Sequence, residues 1–158
     1  PDIMCCAKGI GGGIPIAAVL TTTKIAKSME IGSHGTTFGG NPLACAVAEK
    51  VMTLLTKKML LNGVKKKEKI FLRELQSINK DHKCFSAIRS SGLWIGCKLN
   101  VTENFNLDTV MKACYENGLM ILKANDNTIR IAPSLIIEDS LILKGLKILR
   151  AVIQEQHP

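Results

Sequence analysis

Ile3-Met4-Cys5-Cys6-Ala7-Lys8-Gly9-Ile10-Gly11-Gly12-Gly13-Ile14-Pro15-Ile16 sets a single lysine between an apolar run and a glycine cluster. The run Ile3–Ala7 predicts a short buried strand, and the three consecutive glycines predict a sharp turn that can approach a ligand closely. A lysine at the end of a buried strand is poorly solvated, which disfavours its ammonium form. A partly neutral lysine amine can attack a carbonyl and form a Schiff base. Taken alone, the segment reads better as a surface lysine before a flexible loop, because lysine followed by glycine is common.

Outward from this stretch, Ile16–Thr21 predicts a second strand, and Thr23 a cap for a short helix reaching Met29. Gly32 to Gly40 is a loop rich in glycine and threonine, and Asn41-Pro42 predicts a capped helix to about Leu55. A second helix, interrupted near Asn62-Gly63, is expected to reach about Asn79. Cys84–Ile88 and Leu93–Leu99 read as strands separated by Ser90-Ser91-Gly92. Leu107–Asn117 reads as a helix stopped by Gly118. Leu119–Leu122 and Thr128–Ile131 read as strands, and Ile137–Gln154 as a closing amphipathic helix. The second half is therefore expected to be a small α+β domain.

With 158 residues and 46% hydrophobic content, the chain can build a packed core. No apolar run is long enough to cross a bilayer, so no membrane partner is expected. Pro1 stands first and a strand follows almost at once, so the N-terminal part of a longer protein is expected to be missing. Six cysteines form no Cys-x-x-Cys pair and no metal-ligand spacing with histidine, so no metal is expected. The cysteine pattern argues for a reducing, cytoplasmic setting. The net charge of +8 is concentrated between Lys57 and Arg73. One Trp, one Tyr and four Phe are too few for base stacking, and Val64, Ile70, Phe71, Leu75 and Ile78 give the same segment helical apolar spacing. A solvated helix face explains the charge better than nucleic-acid binding.

Gly32-Ser33-His34-Gly35-Thr36-Thr37-Phe38-Gly39-Gly40-Asn41-Pro42 offers hydroxyls and backbone amides ahead of a helix N-terminus, a pattern suited to phosphate. Together with Ala7-Lys8-Gly9-Ile10-Gly11-Gly12-Gly13-Ile14-Pro15, this loop resembles the class III aminotransferases, the fold-type-I pyridoxal phosphate enzymes. Within them the chain is most similar to the acetylornithine and succinylornithine aminotransferase group. Leu61-Asn62-Gly63-Val64-Lys65, Gly92-Leu93-Trp94-Ile95-Gly96-Cys97 and Ile129-Arg130-Ile131-Ala132-Pro133-Ser134-Leu135 extend the similarity along nearly the whole length.

The resemblance implies an α/β fold: the C-terminal part of a cofactor-binding large domain over residues 1–62, then a helical linker and a small α+β C-terminal domain over 63–158. It implies that Lys8 holds pyridoxal 5′-phosphate and, once displaced by the amino donor, shuttles a proton. Thr37 matches the residue that reaches the cofactor phosphate of the partner subunit, which implies a homodimer. Thr36 matches a position that approaches substrate, and Arg130 the arginine that clamps a substrate carboxylate. Without the resemblance, Arg130 would read as an outward strand residue. The implied reaction moves an amino group from N-acetyl- or N-succinylornithine to 2-oxoglutarate. Alternatives are another ω-aminotransferase, acting on ornithine or 4-aminobutyrate, and a non-catalytic fragment serving as an assembly module. The Gly-Thr-Thr-Phe and Asn-Gly-Val-Lys wording favours the acylornithine group. The family's aspartate beside the pyridine nitrogen, its stacking ring and its phosphate loop would all lie upstream of Lys8. The chain alone is thus expected to be inactive, with apolar sheet faces uncovered.

Several residues carry plainer expectations. His34 is expected to make a structural hydrogen bond, His82 and His157 to lie at the surface, and Trp94 and the Cys5-Cys6 pair to fill the core. Ser90 stands where the family usually has glycine, so mild backbone strain is expected there.

Overall fold

A computed structural model describes residues 1–157 as two units, Pro1–Lys58 and Met59 onward. In the first unit, β1 (Ile3–Cys6) pairs antiparallel with β2 (Ala18–Thr21), with Ile3 opposite Thr21 and Cys6 opposite Ala18. Helix α1 spans Thr23–Ala26, with Thr22 rather than Thr23 at its cap and no side-chain capping bond. Helix α2 spans Pro42–Leu55. Its start is as the sequence predicts: the Ala44 N–H donates to Asn41 Oδ1 at 2.9 Å and proline occupies the first turn.

The predicted burial of β1 is not found. Ile3, Met4, Val19 and Leu20 are exposed, Cys5 is exposed and Cys6 only half-buried. Two strands cannot cover their own faces, so alternating side chains remain open on both sides.

Helix α3 runs Lys58–His82 without a break, and all of it but its first residue belongs to the second unit. The expected interruption at Asn62-Gly63 does not occur. Gly63 faces open space, and one helical glycine costs only about 1 kcal/mol. Burial of Phe71, Leu75 and Ile78 on one face outweighs that cost. Lys83, at φ +56°, ends the helix, and Asn79 Oδ1 accepts from the Phe85 N–H at 2.7 Å to start the next strand.

The sheet order is β3-β4-β6-β5, all antiparallel, from β3 (Phe85–Ser91), β4 (Trp94–Leu99), β5 (Leu122–Ala124) and β6 (Thr128–Ile131). β5 begins later than the sequence suggests. Helices α4 (Leu107–Glu116) and α5 (Asp139–Gln156) complete the unit. Asn106 caps α4 in a reciprocal box with Thr109, and Gly118 turns the chain out of it at φ +78°. One sheet face carries Phe85, Ile95, Cys97, Leu99 and Ile129, which share a core with residues of α3, α4 and α5. The Arg150 guanidinium donates to Asp81 at 2.6 Å and to Ser77 at 2.8 Å, tying α5 to α3.

The β3–β4 turn is Gly92-Leu93, because Ser91 pairs with Trp94 and Ser90 with Ile95. Gly92 takes φ +61°, the position a two-residue hairpin reserves for glycine. Ser90 lies in regular strand outside the left-handed region, so the expected strain is absent. His157 is half-buried and meets the Phe105 ring edge-on at 4.6 Å, contrary to the surface expectation, and His82 is half-buried too.

Candidate active site

Lys8 opens a 3-10 turn, Lys8–Gly11, immediately after β1. Its backbone sits at φ +56°, a left-handed conformation that costs a lysine about 1–2 kcal/mol and that concentrates at functional sites. The glycines behind it are required by space as well as by angle. A Cβ on Gly11 would stand 2.8 Å from the Ile16 Cγ2. Gly12, at φ +55°, would place one 3.1 Å from Val51 Cγ2 on α2. The turn thus seats against α2 only because these positions lack side chains. The expected desolvation of Lys8 does not occur, since its side chain is exposed. Among the described residues it has no ion-pair partner, so its amine is open to a ligand.

The threonine loop is built by the same device. A Cβ on Gly39 would lie 2.1 Å from Thr36 Cγ2, and Gly40 turns at φ +70°. The Asn41 Nδ2 donates to the Phe38 carbonyl at 2.8 Å while its Oδ1 caps α2, so one side chain fastens both loop and helix. Thr36 and Thr37 are exposed a few residues before the positive end of α2. His34 is also exposed and, among the described residues, makes no side-chain hydrogen bond, contrary to expectation.

Arg130 lies on β6 in the second unit and is half-buried. Its Nε is fully buried with no hydrogen-bond partner. Its guanidinium carbon stands 5.2 Å from the centre of the Trp94 ring, within cation–π range. Trp94, expected in the core, is 60% exposed because it faces away from the helices. The sequence reading missed this partnership. The signal that would have found it is strand parity, since Ile95 and Cys97 claim the core face and leave Trp94 with Gly96 on the other. Lys8, Thr36 and Thr37 thus fall in the first unit and Arg130 in the second. No cluster of three His, Cys, Asp or Glu among the described residues could hold a metal.

The family model "Aminotransferase class-III" matches residues 1–153. The chain belongs to the class-III aminotransferase family. It is 47% identical over 155 residues to a succinylornithine transaminase of Yersinia pseudotuberculosis, covering 98% of this chain and 37% of that protein. An acetylornithine/succinyldiaminopimelate aminotransferase of Buchnera aphidicola is 47% identical over 147 residues, 93% of this chain and 36% of the relative. The acetylornithine aminotransferase structure of Elizabethkingia anophelis superposes with TM-score 0.84 at 33% identity, over 98% of this chain and 41% of that one. The ornithine δ-aminotransferase of Plasmodium falciparum gives 0.88 at 28% identity, over 99% and 41%. This class-III aminotransferase chain therefore spans little more than a third of the length of the curated relatives it matches.

The cofactor of class-III aminotransferases is pyridoxal 5′-phosphate. What this chain offers fits it: an exposed, unpaired amine on a constrained backbone at Lys8, and exposed hydroxyls at Thr36 and Thr37.

Proposed function

We propose that this chain is the C-terminal portion of an acylornithine-type aminotransferase, whose reaction moves the δ-amino group of N-acetyl- or N-succinylornithine to 2-oxoglutarate. Residues 1–62 would be the back of the cofactor-binding large domain, and 63–158 the linker and small C-terminal domain. Bound pyridoxal phosphate supplies an electron sink that stabilises the carbanion left when a C–H bond beside the amine is broken. Lys8 Nζ would hold the cofactor covalently and, once freed, take up the proton from the donor's δ-carbon. Thr37 would donate to the cofactor phosphate across a homodimer interface, and Thr36 would approach the substrate. Arg130 would clamp a substrate carboxylate bidentately. The free state of all six cysteines supports a cytoplasmic setting.

The observation that carries the reading is Lys8 itself, a lysine held at positive φ within a stretch 47% identical to a succinylornithine transaminase. The test is borohydride reduction, with pyridoxal phosphate, of the longest natural product containing this sequence, followed by peptide mapping. The expected label is on Lys8. Label on any other lysine overturns the assignment.

A further inference from the structure

Helix α3 carries its apolar and its charged residues on opposite sides. Counted at about 100° per residue from Lys66, the buried Phe71, Leu75 and Ile78 lie about 120–180° round the helix. Lys69, Arg73 and Lys80 lie within about 60° of Lys66 on the far side, and all four are exposed. This stripe runs about 21 Å along the helix axis. The apolar spacing of α3 thus accounts for one side of the helix and leaves the charge on the other.

Little on the protein answers that charge. Helix α3 has three acidic residues, and each is already engaged. Glu68 accepts from Ser90 Oγ at 2.6 Å and from the Gly92 N–H at 3.1 Å. Asp81 pairs with Arg150 at 2.6 Å, and Glu74 with Arg73 at 2.9 Å. The Arg73–Glu74 pair is between exposed neighbours, so another anion can replace it at small cost. Lys66, Lys69 and Lys80 have no ion-pair partner among the described residues. Lys66 and Lys69, and likewise Lys69 and Arg73, stand one turn apart and repel. A bound polyanion turns that repulsion into attraction.

The composition of the stripe selects the polyanion. Asn62, Gln76 and Ser77 are the other residues on it or at its margins between Asn62 and Lys80, so it offers hydrogen bonds and no apolar side chain. Exposed Met59, one turn earlier, adds too little apolar surface to anchor in a bilayer. The stripe has no aromatic ring to stack on the bases of a single strand. Phosphate contact needs neither. A duplex carries one phosphate per about 1.7 Å of its axis, about 12 over the length of the stripe.

We propose that the outer face of α3 binds the phosphate backbone of double-stranded nucleic acid through Lys66, Lys69, Arg73 and Lys80, without reading base sequence. This surface is independent of the aminotransferase reaction and of the residues assigned to it.

The test is fluorescence anisotropy of a labelled duplex of about 20 base pairs titrated with the 158-residue chain. Four phosphate contacts predict an affinity loss of about 100-fold between about 50 and 200 mM NaCl. Lys66→Gln/Lys69→Gln/Lys80→Gln is expected to weaken binding at least about tenfold at the lower salt and to flatten the salt slope by about 3. The same three positions changed to arginine should stay within about twofold of the parent, since the charge is kept. Lys24→Gln/Lys27→Gln/Lys50→Gln removes equal charge from other exposed sites and should stay within about threefold. If that control loses as much as the α3 variant, net charge alone drives binding and the stripe falls. Absence of saturable binding at the lower salt, or binding that the α3 variant leaves unchanged, overturns the proposal outright. A single strand of the same sequence, and vesicles of phosphatidylcholine with phosphatidylserine, are expected to bind more weakly than the duplex. Tighter binding to either overturns the choice of partner. Circular dichroism of each variant separates lost binding from lost fold.

Discussion

The two units of this chain divide labour unequally. The segment Pro1–Lys58 holds Lys8, Thr36 and Thr37, yet Ala44 is its only buried hydrophobic residue. Every other one lies between Phe71 and Ile153, in a continuous core of sheet and three helices. Val19 of β2 is 68% exposed, whereas Ile129 of β6 is fully buried. The first unit gets its shape from backbone devices, such as glycines that admit close approach and an asparagine that caps a helix. The second gets its shape from apolar burial, at about 1.5–3 kcal/mol per large side chain.

The sharpest way to break this contrast is to cut the same kind of side chain in each unit. Ile129→Ala should lower the stability of the second unit by about 2–5 kcal/mol, while Val19→Ala should stay within about 0.5 kcal/mol. Urea midpoints measure both, and comparable losses would dissolve the distinction. A smaller effect is expected at the hairpin. Gly92→Ala forces an alanine into φ +61° with its Cβ 2.9 Å from Val64 Cγ1. That should cost about 1–2 kcal/mol. Adding Val64→Ala should restore the steric part alone.

In the first unit the equivalent lever is a cap. Asn41→Ala should cost about 1 kcal/mol, seen as faster amide exchange in α2 with α3 unaffected. Thiol reactivity gives the gentlest test, since it leaves the fold intact. Burial raises the Cys97 thiol to about 12 and those of Cys84 and Cys114 to about 11. At pH 8, iodoacetamide should therefore modify the exposed Cys5 and Cys45 and spare these three. The folded values lie above the ordinary 9.0, so the folded unit keeps protons that the unfolded chain releases. Stability of the second unit should consequently be flat below about pH 9 and fall as pH rises toward 11–12. Rising stability over that window would contradict the burial of the thiols.

What the sequence disclosed follows the same division. The Asn41-Pro42 cap and the helix to Leu55 were legible because capping is a matter of neighbouring residues. The order of elements after Phe85 was legible because period-two and helical spacing survive in single segments. The continuity of α3 was not, because the burial that carries it through Gly63 comes from residues distant in sequence. The exposure of β1 escaped for the opposite reason, since apolar composition says nothing of whether a covering layer exists. At the candidate site, Lys8 and the threonines were found through motif wording. The positive φ of Lys8 and the ring over Arg130 both required the folded backbone.

Glu68 has a bearing on how this sheet can vary. By holding Ser90 and Gly92 at once, it pins the tight turn that sets which side chains of β3 and β4 look outward. Because alternation has a period of two, a single-residue insertion between Arg89 and Gly92 would send Arg89 toward the helices and Ile88 into water. Length changes at this bend should be tolerated only in pairs, because an unpaired one exchanges the buried and the exposed face of β3 along its whole length.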